Sequence, residues 1–320
     1  MMHKKLIYLP AIALLLAGPY FLYPVLLMKL MCFALFACAF NLLVGFTGLL
    51  SFGHAAFFGG AAYLAGYAVR TLHVAPEAGI LIGAVAGGLL GGVMGALAIR
   101  RTGIYFTMIT MALAQMLYFG FLQAPFTGGE DGLQGVPRGR LLGVVDLSDD
   151  IAMYYLVLAV AAGGIGLIVR TVRSPFGQVL HAIKQNEARA VSLGYDVAHH
   201  KLLAFVLSAA LSGVAGATKT LVLGFATLSD VHWAMSGLVL LMTLVGGLGT
   251  LAGPVVGALI IVALENKLGD WSEALALLTR VDWFRSMGES VTTVTGLIFI
   301  ACVLAFRRGI VGELAARWRT

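Results

Sequence analysis

Six polar side chains lie inside or beside long apolar runs, where a polar group is costly unless it is paired or functional. Asn41, Thr47, Ser51 and His54 bracket the glycine-rich stretch GFTGLLSFG at 45–53. Gln115 sits mid-run with Thr107 and Thr110 nearby, and Lys219 lies near the end of another run. Their available chemistry is hydrogen bonding to a polar solute along a path, with His54 able to titrate and Lys219 able to draw an anionic group. The plainer reading of each is structural. Asn41 and Gln115 can bond across helices or to each other, a neutral His54 can cap a broken helix, and Lys219 can snorkel to the interface. No catalytic constellation stands beside them. The stretch GVAGATKT at 213–220 lacks the GxxxxGK[ST] spacing of a phosphate loop, and the chain has no HExxH, no GxSxG and no carboxylates paired for acid–base work. Cys32, Cys38 and Cys302 lack CxxC spacing or a histidine cluster, so no metal site or cofactor is expected.

The elements that must hold these residues are membrane helices. Hydrophobic residues make up 60% of the 320 and charged residues 11%, with a mean hydropathy of +0.95, so most of the surface faces lipid or other apolar helices. Apolar runs place spans near 6–28, 30–46, 52–70, 78–99, 104–124, 151–169, 202–225, 235–249, 252–268 and 288–306. The expectation is an all-α, polytopic transmembrane helical domain of eight to ten spans, one domain over residues 1–320. The first run follows Lys4 and Lys5 as a secretory signal would, but it is long and no A-x-A site follows, so it reads as an uncleaved helix.

Charge sets the orientation. Of the 21 Lys and Arg, 13 fall at Lys4–Lys5, Arg100–Arg101, residues 170–201, and Arg307, Arg308, Arg317 and Arg319, alongside only three acids. Ten crossings from a cytoplasmic N-terminus put all four clusters and the C-terminus in the cytoplasm and the acidic 125–150 loop outside. The net charge of +6 therefore reflects topology, not nucleic-acid binding.

Ten crossings also require a turn within GGLGTLAGP at 246–254. Gly45, Gly48 and Gly53 stand at offsets 0, 3 and 8, and Gly246, Gly249 and Gly253 at 0, 3 and 7. This is either a faint internal repeat, as transporter folds contain, or chance similarity between two glycine-rich segments. Short flanking spans suggest discontinuous helices, which are tolerated where irregular backbone meets protein or a water-filled cavity. No carboxylate lies clearly mid-span, and Glu265 near a span end comes nearest. The outer stretch TGGEDGLQGVPRGR at 127–140 reads as a solvated loop or as a dock for an extracytoplasmic protein. Residues 269–289, with Trp271, Trp283 and Phe284, read as an interfacial segment.

Residues 170–201 form a polar island in this apolar chain. Ser174 as N-cap, Pro175 at the first helical position and Gly194 as the stop predict one helix over 174–194. Phe176, Val179, Leu180, Ile183, Ala190 and Val191 fall near one face of it. A membrane protein that places such a helix between spans presents it to something outside the bilayer.

Five separated stretches carry a resemblance: NLLVGFTGLLSFGHAAFFG from Asn41, RTGIYFTMITMALAQMLYF at 101–119, TGG.DGL at 127–133, SPFGQVLHAIKQNEARAVSLGY at 174–195 and GGLGTLAGPVVGA at 246–258. Together they resemble LivM-type permeases, membrane subunits of ATP-binding-cassette importers for branched-chain amino acids, over about residues 35–308. The resemblance implies a LivH-like permease partner, two cytoplasmic ATPases of the LivG and LivF kind that consume the ATP, a periplasmic solute-binding protein, and a bacterial inner-membrane location. It makes 174–194 a coupling helix, in which Ser174, Pro175, Phe176, Ile183, Lys184, Glu187, Ala188, Arg189 and Gly194 meet the ATPase. Glu187-Ala188-Arg189-Ala190 with Gly194 resembles the EAA…G signature of importer permeases, with the glycine one position later than the common spacing. Related permeases for urea and short amides share these motifs. An ion-coupled secondary transporter and a membrane enzyme are the competing classes, and each lacks its usual carboxylates or nucleophile.

Overall fold

The computed structural model describes residues 15–279, 296–297, 300 and 309–317. Residues 15–21 are helical (α1), and the chain breaks at Leu22 and Tyr23 before α2, Pro24–Thr47. This moves the expected boundary between the first two spans from residue 29 to residues 22–23. Pro24 explains it, because its ring fits the first helical turn and holds Tyr23 extended. The helices that follow are α3 (His54–Thr71), α4 (Pro76–Ala98), α5 (Ile104–Gln123), α6 (Asp150–Arg173), α7 (Pro175–Gln185), α8 (Glu187–Ser192), α9 (Val197–Leu223), α10 (Leu228–Val231), α11 (Trp233–Gly246), α12 (Gly253–Thr279) and α13 (Gly309–Arg317). Most of the expected span 288–306, the start of the first span, and Trp283, Phe284 and Cys302 lie outside the described residues.

Five of these helices, α2, α4, α5, α6 and α9, are long and apolar enough to cross a bilayer. At 1.5 Å per residue the 24 residues of α2 extend about 36 Å, against a hydrocarbon core of about 30 Å. The 14 residues of α11 reach only about 21 Å, so this helix is part of a broken span. The chain turns between α11 and α12 at residues 247–252, as the charge distribution requires. Helix α12 continues through Thr279, well into the stretch expected to be interfacial.

The protein interior is built on α2 and α9, the two most buried of the candidate spans. Helix α4 approaches α9 closely through Gly83, Gly87 and Gly91, where a Cβ would overlap Ala217, the Ala209 carbonyl and the Ala209 methyl. This GxxxGxxxG stripe lets dispersion contacts replace the hydrophobic drive that lipid removes. The opposite stripe of α4, Leu81, Val85, Leu89, Val93 and Leu97, is exposed. It suits contact with acyl chains.

The 124–149 loop is not simply solvated. Thr127, Leu133, Val136 and Leu147 are buried, and Leu133 forms a β-bridge with Ala226 beyond α9. Arg138 ties the loop to Asp150 at the start of α6 and to the Val222 carbonyl. A two-residue hairpin pairs Arg140–Leu141 (β1) with Val145–Asp146 (β2).

Candidate functional site

Helix α2 ends at Gly48, whose φ of 78° is left-handed and suits a residue without a Cβ. The chain then runs without helix to Gly53 while staying buried or half-buried. Buried irregular backbone must find partners for its polar groups, and here side chains supply them. The Leu49 amide donates to the Thr47 hydroxyl, and the Gly53 amide donates to Ser51 Oγ. Thr107 donates to the Leu50 carbonyl at 2.8 Å, and the Phe52 amide donates to Thr110. Ser236 donates to the Phe52 carbonyl and accepts from the Ala55 amide, both at 2.8 Å. Helices α5 and α11 thereby hold the unwound strand in place.

Helix α3 starts inside the protein. His54 at its first turn places Nε2 2.8 Å from Ser208 Oγ, and Ser208 donates to the Ala39 carbonyl. Since that serine proton is committed, Nε2 of His54 is the donor, and Nδ1 is the bare nitrogen. It has no partner among the described residues. Ser208 lies 11 residues, about 16 Å, into α9. The start of α3 is therefore deep, and α3 is a discontinuous helix of the kind the glycines suggested. His54 does not cap it; its ring packs among Phe40, Phe57 and Phe205.

The second break meets the first. Asn41 donates through Nδ2 to the Thr250 carbonyl at 2.9 Å and accepts at Oδ1 from the Gly249 amide at 3.0 Å. A Cβ on Gly45 would crowd Asn41 Oδ1 and the Gly249 amide, so the two glycine-rich stretches are in contact. Within the second break Thr250 donates to the Gly247 carbonyl and accepts from the Gly253 amide. Gln115 does not join Asn41; its buried Oε1 has no partner among the described residues.

The polar island reaches this pair of breaks. It is two helices, not one, because Asn186 adopts an extended backbone (φ −157°, ψ 101°) and caps α8 by accepting from the Arg189 amide. The break turns α8, so Ala190 stays buried while Val191, expected on the same face, is 58% exposed. Both ends follow the sequence. Ser174 accepts from the Gly177 amide, and Pro175 opens α7. Gly194 (φ 87°) receives α8 in a Schellman turn, with Gly194 donating to the Val191 carbonyl and Tyr195 to the Ala190 carbonyl. From α7, Lys184 Nζ donates to the Gly45 carbonyl at 2.6 Å, and its stem lies over Gly48. Glu187 of α8 pairs with the buried Lys201 of α9 at 2.7 Å, and Phe176 stacks on His200. Ala188 and Arg189 are exposed, and Ile183 is buried.

Lys219 does not snorkel. It is buried and pairs with Asp230 Oδ1 at 2.5 Å, while Asp230 is only 2% exposed. Asp230 is a buried carboxylate that the sequence reading did not single out, on the short α10 between the end of α9 and the start of α11. It was hidden because 226–233 reads as a gap between apolar runs, and only the short α10 folds it inward. Ser208 and Ser236 were equally silent, being ordinary serines in apolar runs until their partners are known.

A family model for the permease component of branched-chain amino acid transport systems matches residues 24–305. The chain belongs to this family. The permease is 27% identical over 276 residues to the high-affinity branched-chain amino acid transport system permease protein LivM of Escherichia coli, a match covering 78% of this chain and 64% of that protein. The corresponding LivM of Salmonella typhimurium is 26% identical over the same shares. The match thus spans a little under two thirds of the length of these curated relatives. The autoinducer 2 import system permease protein LsrC of Klebsiella pneumoniae is 30% identical over 198 residues, 58% of this chain and 53% of that protein. The permease is accordingly an all-α, multi-pass membrane protein.

Proposed function

We propose that this permease is one membrane subunit of an ATP-driven importer for branched-chain amino acids in a bacterial inner membrane. A LivH-like permease completes the membrane pair, two LivG- and LivF-like ATPases hydrolyse ATP, and a periplasmic protein delivers the substrate. The chain itself carries no ATPase role. Both termini and the 174–194 segment face the cytoplasm.

The observation that carries this reading is the Lys184–Gly45 contact. An exposed segment outside the spans holds, through one charge-assisted hydrogen bond, the end of a helix whose neighbour is the second break. Exposed Val191, Leu193 and Tyr195 beside Arg189 supply an apolar patch with a charged rim, suited to an ATPase groove. Movement of α7 and α8 by the ATPases then displaces Gly45, and Asn41 passes the displacement to residues 249–250.

Reconstitution in liposomes tests the reading. With the partner permease, ATPases and loaded binding protein, leucine uptake is expected only when ATP is supplied. Uptake by this chain alone under a proton or sodium gradient would sink it in favour of a secondary transporter. Binding of leucine, isoleucine and valine by the periplasmic partner, against urea and short amides, fixes the substrate.

A further inference from the structure

The Lys219–Asp230 pair has no part in the coupling route above, and stability alone does not explain it. Desolvating two ions costs about as much as their attraction returns, and well-packed apolar residues of similar size usually do as well. Ionisable side chains inside a membrane protein mark substrate or ion routes by default. The surroundings have the features of a charge-recognition site. Lys219 Nζ stands 5.8 Å from the centre of the Phe58 ring, so ring electrons face the cation. Asp230 accepts from the amide and the hydroxyl of Thr227 on its other oxygen. One turn along α3 from Gly59, where the Asp230–Val231 backbone packs, the buried Tyr63 hydroxyl has no partner among the described residues.

The carboxylate also sits on a short piece of its own, between two helices. Helix α10 is four residues long, set between the left-handed Gly224 and the extended His232. Its lead-in is gripped from outside the spans. Leu133 and Ala226 exchange backbone bonds at 2.9 Å, and the Val136 amide donates to the Gly224 carbonyl at 2.8 Å. The 125–147 loop is thus bonded directly to the residues that lead into α10 and Asp230.

We propose that the Lys219–Asp230 pair is the zwitterion-recognition site of the pathway, an internal stand-in for an α-amino acid. When α10 swings on Gly224 and His232, the α-carboxylate of the substrate takes the place of Asp230 at Lys219. Its α-ammonium takes the place of Lys219 at Asp230, and the Tyr63 hydroxyl gains a partner. The two ions stay neutralised throughout, so opening exposes no lone charge. This rests on the importer reading and names the groups that select its substrate class.

The test uses the complete importer with leucine-loaded binding protein. Lys219→Met, Asp230→Asn and the double variant are compared for assembly, ATP hydrolysis and uptake. The double variant is expected to assemble and hydrolyse ATP yet to lose uptake by about ten-fold or more, like each single variant, because removal of a close charge partner is worth at least one decade. Uptake restored in the double variant would overturn the proposal, since a merely structural pair leaves no stranded charge once both ions are gone. A second measurement needs no variant. In the wild-type importer a water-soluble carbodiimide with an amine should label Asp230 during turnover, with excess leucine protecting it. Asp230 unlabelled in every state would overturn the proposal. A wild-type importer that moves no amino acid would instead remove the importer reading itself.

Discussion

The Asn41 amide holds two backbone groups, the Thr250 carbonyl and the Gly249 amide, more than two hundred positions away in sequence. Asn41→Leu leaves both without a partner in a buried place, which costs about 2–4 kcal/mol at roughly 1–2 kcal/mol per group. A lowered unfolding midpoint in detergent checks this, and an unchanged midpoint would show the bonds to be dispensable. Asp146 gives a pH-dependent case outside the spans. The Ser148 amide, bonded to its Oδ1 at 2.9 Å, and the Ser148 hydroxyl hold this carboxyl below the usual carboxylate range. With the folded value lowered, the stabilisation is present above the unfolded pKa and is lost as pH falls through the folded one. The Ser148 amide should therefore stay protected from hydrogen exchange at pH values where an ordinary aspartate is already protonating. Protection lost in the ordinary aspartate range would contradict this. Both Asn41 and His54 were legible as polar residues in apolar runs. Their partners were not, because Thr250 and Ser208 are unremarkable until the helices are packed.

Helix ends were readable where local chemistry alone decides them. Ser174, Pro175 and Gly194 bound the polar island as their types require. The break at Asn186 was not read, since Gln185, Asn186 and Glu187 continue a plausible polar face. Only the cap to Arg189, with the Glu187–Lys201 pair, shows that the helix restarts. Asn186→Ala should cost about 1 kcal/mol, a typical cap loss, and speed hydrogen exchange across 187–192. Unchanged exchange there would mean that Asn186 does not hold the start of α8. The glycine stripe of α4 was visible as spacing but had no meaning without α9. A larger residue at Gly87 must collide with the Ala209 carbonyl, so Gly87→Val should destabilise by about 1–3 kcal/mol through overpacking. A detergent melt equal to wild type would place α4 farther from α9.

At the scale of the whole molecule, composition and charge announce a polytopic membrane protein, and the two glycine-rich stretches announce broken helices. What no linear reading supplies is their convergence. The end of α2, the turn before α12 and Lys184 of α7 meet around the Gly45 carbonyl, although the three lie far apart in the chain. In the proposed importer, that meeting would let the 174–194 segment transmit movement rather than only provide a docking surface. Its most direct test is the ratio of ATP hydrolysed to leucine imported by the reconstituted importer carrying Lys184→Met, with Lys184→Arg as the conservative control. Loss of one charge-assisted bond of roughly 1.5–3 kcal/mol is large enough to uncouple a two-state element by ten-fold or more. The account predicts that Lys184→Met assembles and hydrolyses ATP while uptake per ATP falls by about that factor, and that Lys184→Arg restores much of it. Uptake per ATP equal to wild type in Lys184→Met would contradict it.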